Sequence, residues 1–263
     1  MNKVKFTAMI AGSVFFTLLL STDAIDIGRK HSLAKWQPSS FWSTKASANS
    51  FAGYVPPVGR ERIQRTEGAG SRGCPSGSFG SVTLLIPNDH VGLTTSGRPT
   101  FSWYVSSPPS TPMQFALVEP GVAKPLLVKQ FRNNKSGIVQ LELPPNVPEL
   151  SAGKVYRWTV SLVCNTKRPS ENIYVRSWIS RVDHLTQTNI QSGSERYSSA
   201  RKLRQTAAAY ARSGIWYDSI ASVAKAYLAE PQDEQNYQYL RFLLDEVGLS
   251  RVPISQPQIL AGN

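Results

Sequence analysis

The sequence predicts a mainly β protein, a seven-stranded immunoglobulin- or fibronectin-like antiparallel sandwich followed by a small three-helix, repeat-like C-terminal unit. Three observations carry this. Residues 81–182 alternate short β-rich runs with Pro, Gly and Asn, the punctuation of an all-β domain. Within those runs Tyr156, Trp158, Val160 and Leu162 recur at period two, so they share one strand face. After Asp183-His184 the period changes to that of a helix, as in Ala200, Leu203, Ala207 and Tyr210.

The candidate strands are 81–86, 99–105, 113–119, 125–131, 137–143, 154–163 and 173–182. Phe101, Trp103 and Val105 share a face in the second and belong to the core with the tyrosine and tryptophan of the sixth. Pro108-Pro109, Pro144-Pro145 and Pro148 fall between runs, where the missing N–H costs no ladder bond. Leu150, Gly153 and Tyr156 match the spacing of a tyrosine corner. The first helix ends at Gly214 and the second runs from Trp216 toward Pro231. Tyr237, Leu240, Leu244 and Val247 mark a third, closed by Gly248. Ser219, Val223 and Ala226 followed by Pro231 resemble the second half of one tetratricopeptide repeat, which cannot bury its own face without a neighbour.

The chain divides as 1–24 signal peptide, 25–73 linker, 74–184 sandwich, 185–249 helical unit and 250–263 tail. Lys3 and Lys5 precede an apolar run over Phe6–Leu20, and Thr22-Asp23-Ala24 offers small residues for cleavage. Fifteen residues fall short of the roughly 20 that a permanent span requires. The expected product is a periplasmic or extracellular protein without a transmembrane span; the alternative is an uncleaved anchor. The full chain carries a formal charge of +12. Export removes two lysines and one aspartate and leaves +11, so the mature chain favours acidic partners.

The linker carries a net +5 and interleaves its cations with aromatics. Trp36, Trp42, Arg60, Arg62, Arg65 and Arg72 form the candidate binding surface, a mixture suited to an anionic membrane, sugar rings or bases. The alternative is a solvated tether whose aromatics, Trp36, Phe41, Trp42, Phe51 and Tyr54, pack loosely on the following domain. No helix-turn-helix, zinc finger or RNA-binding signature accompanies the charge, and nucleic acid is set aside.

Cys74 and Cys164 are the two cysteines, and an exported chain places both in an oxidising compartment. One disulfide between them is expected, closing a loop of about 90 residues worth on the order of 4 kcal/mol. No catalytic residues are assigned: there is no GxSxG elbow, phosphate-binding loop, HExxH helix or paired Cys/His ligand set, and no cofactor or metal is implied. Asp89-His90 and Asp183-His184 are adjacent acid–base pairs. They serve a Ser-His-Asp site only if the fold supplies a serine, and otherwise belong to a turn and a junction. Asp233-Glu234 and Asp245-Glu246 are read as solvated helix-end charges.

Several segments stand in a recognisable order: Gly70-Ser71-Arg72-Gly73-Cys74, Arg98-Pro99-Thr100-Phe101 with Trp103-Tyr104-Val105, Tyr156-Arg157-Trp158, and the Cys164 strand. Gly214-Ile215-Trp216-Tyr217-Asp218 and Leu243-Leu244 with Val247-Gly248-Leu249 follow. Over roughly residues 60–250 the chain resembles the domain of unknown function 928 family, found chiefly in cyanobacteria. The resemblance implies an exported protein and supplies no catalytic residues. The expected role is a non-enzymatic interaction module of the cell envelope, its partner an envelope protein or an acidic polysaccharide. The alternatives are an envelope glycan-acting enzyme using carboxylates such as Glu142 or Glu149, and a charge-driven polysaccharide-associated surface component.

Overall fold

The computed structural model describes residues 51–58, 66–68, 80–183, 198–255 and 257–260, with the backbone alone at 66–68. The strands among them are β1 (Thr66–Gly68), β2 (Val82–Leu84), β3 (Gly92–Thr94), β4 (Thr100–Val105), β5 (Met113–Val118), β6 (Leu127–Phe131), β7 (Gly137–Glu142), β8 (Val155–Leu162), β9 (Ile173–Arg181) and β10 (Gln258–Leu260). The helices are α1 (Ser199–Arg212), α2 (Trp216–Ala229) and α3 (Glu234–Glu246). One sheet runs β1-β9-β8-β5-β6, with β3 also on β9; the other runs β10-β7-β4-β2.

All seven strand runs expected from the sequence form, but three short strands add to them, so the seven-strand count is corrected. The wholly antiparallel expectation is corrected too. β3 pairs parallel with β9, and β10 parallel with β7. Parallel partners need long crossovers, and here β10 reaches β7 only after the three helices have intervened.

The core lies between the sheets. β8 alternates half-buried and buried residues along its whole length, with Tyr156, Trp158, Val160 and Leu162 inward. Trp158 lies 5.2 Å from Phe101 of the facing sheet, and Phe115 of β5 lies 4.9 Å from Phe101. These tilted ring pairs suit the quadrupoles of aromatic side chains. The Tyr156 hydroxyl accepts a 2.8 Å hydrogen bond from the Ser151 backbone N–H, beside buried Leu150 and Gly153 at φ +75°. That is the corner the spacing predicts. The Arg98 guanidinium donates to the carbonyls of Pro144 and Val147 at 2.6 and 2.8 Å, holding the loop between β7 and β8.

The helices begin and end where the sequence places stop signals. Ser198 caps α1 by accepting from Arg201 N–H, and Asp233 caps α3 by accepting from Gln235 N–H, each satisfying an otherwise orphaned donor. Gly214 and Gly248 take φ of +75° and +78° just beyond α1 and α3, the left-handed conformation that glycine adopts without penalty. Buried Ala207 and Ala211 of α1 and Ser219 and Val223 of α2 let these helices approach closely. The Ser219 hydroxyl donates to Ala207 O at 2.9 Å.

Residues Ala48–Asn263 cluster as one compact unit. The helices dock on the sheets through the start of α2. Trp216 Nε1 donates to Leu85 O at 2.9 Å. The Tyr217 ring sits between the sheets, 6.0 Å from Phe101 and 6.3 Å from Trp158. Its hydroxyl accepts from Trp158 Nε1 and donates to Trp178 O. Asp218 accepts from Thr94 Oγ1 at 3.0 Å and from Thr95 N at 2.7 Å. The run 214–218 thus spends its aromatic and acidic groups on joining the layers.

Part of the segment 25–73, read from sequence as linker, is packed chain. Phe51 stacks on Tyr239 of α3 at 5.1 Å, and Tyr54 is buried against Trp216 at 4.9 Å. Val55 N–H donates to Ala211 O, and the Tyr239 hydroxyl donates to Ala52 O. This strap shows no period because it lies extended across the helices and anchors by single aromatics.

Candidate functional site

Asp89 and His90 leave β2 in the turn before β3, at the edge where the strap, the turn and the end of α3 meet. His90 is buried, whereas the Asp89 side chain is 63% exposed. Asp89 Oδ1 lies 2.7 Å from His90 Nδ1. A carboxylate only accepts, so Nδ1 carries a hydrogen toward Asp89. The Tyr54 hydroxyl lies 2.7 Å from Nε2, within hydrogen-bond distance. The two rings are nearly parallel, with centroids 5.7 Å apart.

The Asp–His pair seen in the sequence therefore gains a hydroxyl partner. It is Tyr54, 36 positions upstream, rather than a serine. The geometry can relay a proton between the exposed carboxylate and the buried phenol. Tyr54 is 8% exposed, so its oxygen is poorly placed to attack a bulky substrate. Beside the relay, an open cavity of about 420 Å³ is lined by Tyr54, Pro56, Asn88, Asp89, Glu246 and Val247, with His90 at its wall. Glu246 Oε2 accepts from Tyr54 N–H at 2.7 Å, and Asn88 Nδ2 donates to Val247 O at 2.5 Å. Glu246, read from sequence as a solvated acid, fastens the strap to α3. Asp233 of the other acidic pair caps α3 and binds Arg204 Nη1 at 2.7 Å.

The remaining residues singled out in the sequence fall elsewhere. Trp36, Trp42, Arg60, Arg62, Arg65 and Arg72 lie outside the described residues, as do residues 1–24 and His184. Cys164 follows β8, half-buried; there is no free cysteine among the described residues, and Cys74 lies outside them. Glu142 pairs with Lys225 at 3.3 Å. Glu149 stands 3.5 Å from Arg98 Nε and 3.7 Å from an Arg181 nitrogen. Among the described residues, no group of three or more His, Cys, Asp or Glu is placed to hold a metal ion, and no helix is long and apolar enough to cross a membrane.

Burial shifts two phenols of this region. Desolvation raises the Tyr239 hydroxyl well above its ordinary value, opposed by Arg212 and reinforced by Glu246. Desolvation also raises Tyr210, with the nearby Asp218 charge adding to it and a hydrogen bond with Thr95 opposing it. Both groups stay neutral, as buried hydroxyls should when a charge would lack water.

No curated protein and no solved structure matches the chain. The model of one family, Domain of Unknown Function (DUF928), matches residues 67–257, which takes in strands β2 to β9, the Asp89-His90 turn and the three helices. On that match the chain belongs to the DUF928 family.

Proposed function

We propose that the chain is an exported, non-enzymatic interaction module of the cell envelope, residing in the periplasm or outside the cell. The observation that carries this reading is where its reactive side chains go. Asp218 is bonded to Thr94 and Thr95, and Glu149 lies between Arg98 and Arg181. These acids serve the scaffold, and on this reading function passes to the surface of a fused body. The export part rests on residues 1–24.

Two finer features belong to the same reading. Without the three short edge strands, β2-β4-β7 faces β6-β5-β8-β9. With the Tyr156 corner, that order supports an immunoglobulin- or fibronectin-like sandwich. A Cys74–Cys164 disulfide would tie the segment before β2 to the end of β8.

A second reading, an enzyme acting on envelope glycans, is favoured by one observation: Asp89 and Glu246 line the same cavity. Glycoside hydrolysis uses two carboxylates on either side of the bond. On this reading the pair replaces Glu142 and Glu149, which are engaged by cations.

The test is to crosslink the tagged protein in its native envelope and to capture it at low and high salt. A saturable envelope partner that is recovered unaltered supports the module. Recovery of no partner contradicts it. Cleavage of an envelope glycan that is lost in Asp89→Asn or Glu246→Gln establishes the enzyme instead.

A further inference from the structure

The strand β7 is built for the interior of a sheet, yet one of its two neighbours is a short arm of the chain. Residues 137–141 are all buried, the mark of a strand covered on both faces and at both edges. β4 lines one edge over the full length of β7. The other edge is filled by β10, three residues in parallel register from Gln258 against Val139 to Leu260 against Leu141, and parallel pairing is the weaker kind per residue. The family-matched residues stop at 257, one position before β10. The matched body thus leaves this edge to a segment beyond it.

The seat of the arm is specific. Gly137 has φ +118°, and a Cβ there would collide with Ser255 Oγ, so the arm crosses close over a glycine. Gln258 Nε2 donates to Ser136 O at 2.9 Å, Ile254 and Leu260 pack on the core, and Ile259 is 62% exposed. The base of the arm is held as firmly: the Arg241 guanidinium donates to Val252 O at 2.6 Å and to Leu249 O at 2.8 Å. Only Pro253 and Ile254 separate this base from Ser255. Pro253 fixes its own φ and disfavours a helical turn at Val252, so the hinge is short and stiff.

We propose that the β7 edge is an interface with a second copy of this chain, formed when two copies exchange their arms, residues 253–260. The sequence that fits the seat is the chain's own. Contacts between arm and body are the same within one copy and between two, so the hinge and the concentration set the balance. A short hinge favours exchange, because it restricts the turn that folds the arm back, whereas an arm that runs straight on meets a neighbour's edge. Residues 253–263 contain no charged side chain. The pairing therefore draws on main-chain hydrogen bonds and on Leu260 rather than on ion pairs. Reciprocal exchange closes a two-fold dimer and leaves neither β7 edge open.

The experiment follows the mass of the full chain by size-exclusion chromatography with light scattering over a concentration series, at low and high salt. Chains labelled with light and heavy nitrogen and carrying Ile259→benzoylphenylalanine are mixed, refolded at high concentration and photocrosslinked. The expected result is a dimer that grows with concentration and survives high salt, with crosslinks from position 259 to β7 that join light to heavy chains. Leu260→Asp should weaken the dimer about tenfold or more. A flexible Gly/Ser insert between Val252 and Pro253 keeps every seat contact and should shift the chain toward monomer; it serves alone if Leu260→Asp does not fold, as judged by circular dichroism. A monomer at every concentration would overturn the proposal, as would crosslinks that join like labels only, or a dimer undiminished in either folded variant.

Discussion

The indole N–H of Trp158 in β8 donates a 2.8 Å hydrogen bond to the hydroxyl of Tyr217 in α2, 59 residues away. Trp158 has no exposure to solvent, so this hydroxyl stands in for water. Tyr217 in turn donates to Trp178 O. Tyr217→Phe keeps the ring but orphans a buried donor, and the expected loss is about 2 kcal/mol of unfolding free energy. Urea denaturation measures it; a loss within error of zero would mean that another group reaches the indole.

Asp218 meets three donors: Thr94 Oγ1, Thr95 N and Thr95 Oγ1. Asp218→Asn turns an amide N–H toward one of them in either orientation of the side chain. A destabilisation of about 3 kcal/mol is expected, with the largest rise in amide exchange at Thr95. Hydrogen exchange followed by mass spectrometry would locate it.

Glycine has a specific role at 214. Its φ is +75°, and a Cβ there would lie 2.9 Å from Val55 O, against the strap. Gly121 has a φ of +81° with open space where the Cβ would be. Gly121→Ala should cost about 1 kcal/mol from conformation alone. Gly214→Ala should cost clearly more and release the strap, read as faster proteolysis near residues 51–58. Equal costs would show that the strap yields freely.

The Tyr239 hydroxyl sets an alkaline limit. Its folded value is raised above the ordinary 10.0, chiefly by burial. In the window between the ordinary and the folded value, the unfolded chain has released a proton that the native chain retains. Stability is therefore unaffected by this group below about pH 10 and falls as pH rises through the window. Tyr239→Phe removes the titration and the bond to Ala52 O. Its unfolding free energy should be lower near neutrality but flatter above pH 10, a slope that denaturation at stepped pH reads directly.

Much of this fold was legible because it repeats. Alternation along 154–163 and the helical spacing after 198 place β8 and α1 within a residue or two, and the Leu150-Gly153-Tyr156 spacing locates the corner. β1, β3 and β10 were not legible, since three residues cannot display a period and their pairing comes from distant partners. The strap escaped for a related reason: Phe51 and Tyr54 look like linker aromatics until α3 supplies Tyr239 and Glu246. At the candidate site, adjacency revealed Asp89 with His90. Tyr54 and Glu246 come from 36 positions before and 156 positions after His90, a distance that local pattern does not cross.

The central claim is that Trp216, Tyr217 and Asp218 fuse the helices and the sheets into one body. Equilibrium urea unfolding tests this most directly, followed in parallel by tryptophan fluorescence, which reports on Trp103, Trp158 and Trp216 in the core, and by far-ultraviolet circular dichroism, dominated by α1, α2 and α3. The account predicts coincident curves with a single midpoint. Helices that melt at a lower urea concentration while core fluorescence stays native would contradict it, and would make the helical unit an independently mobile part.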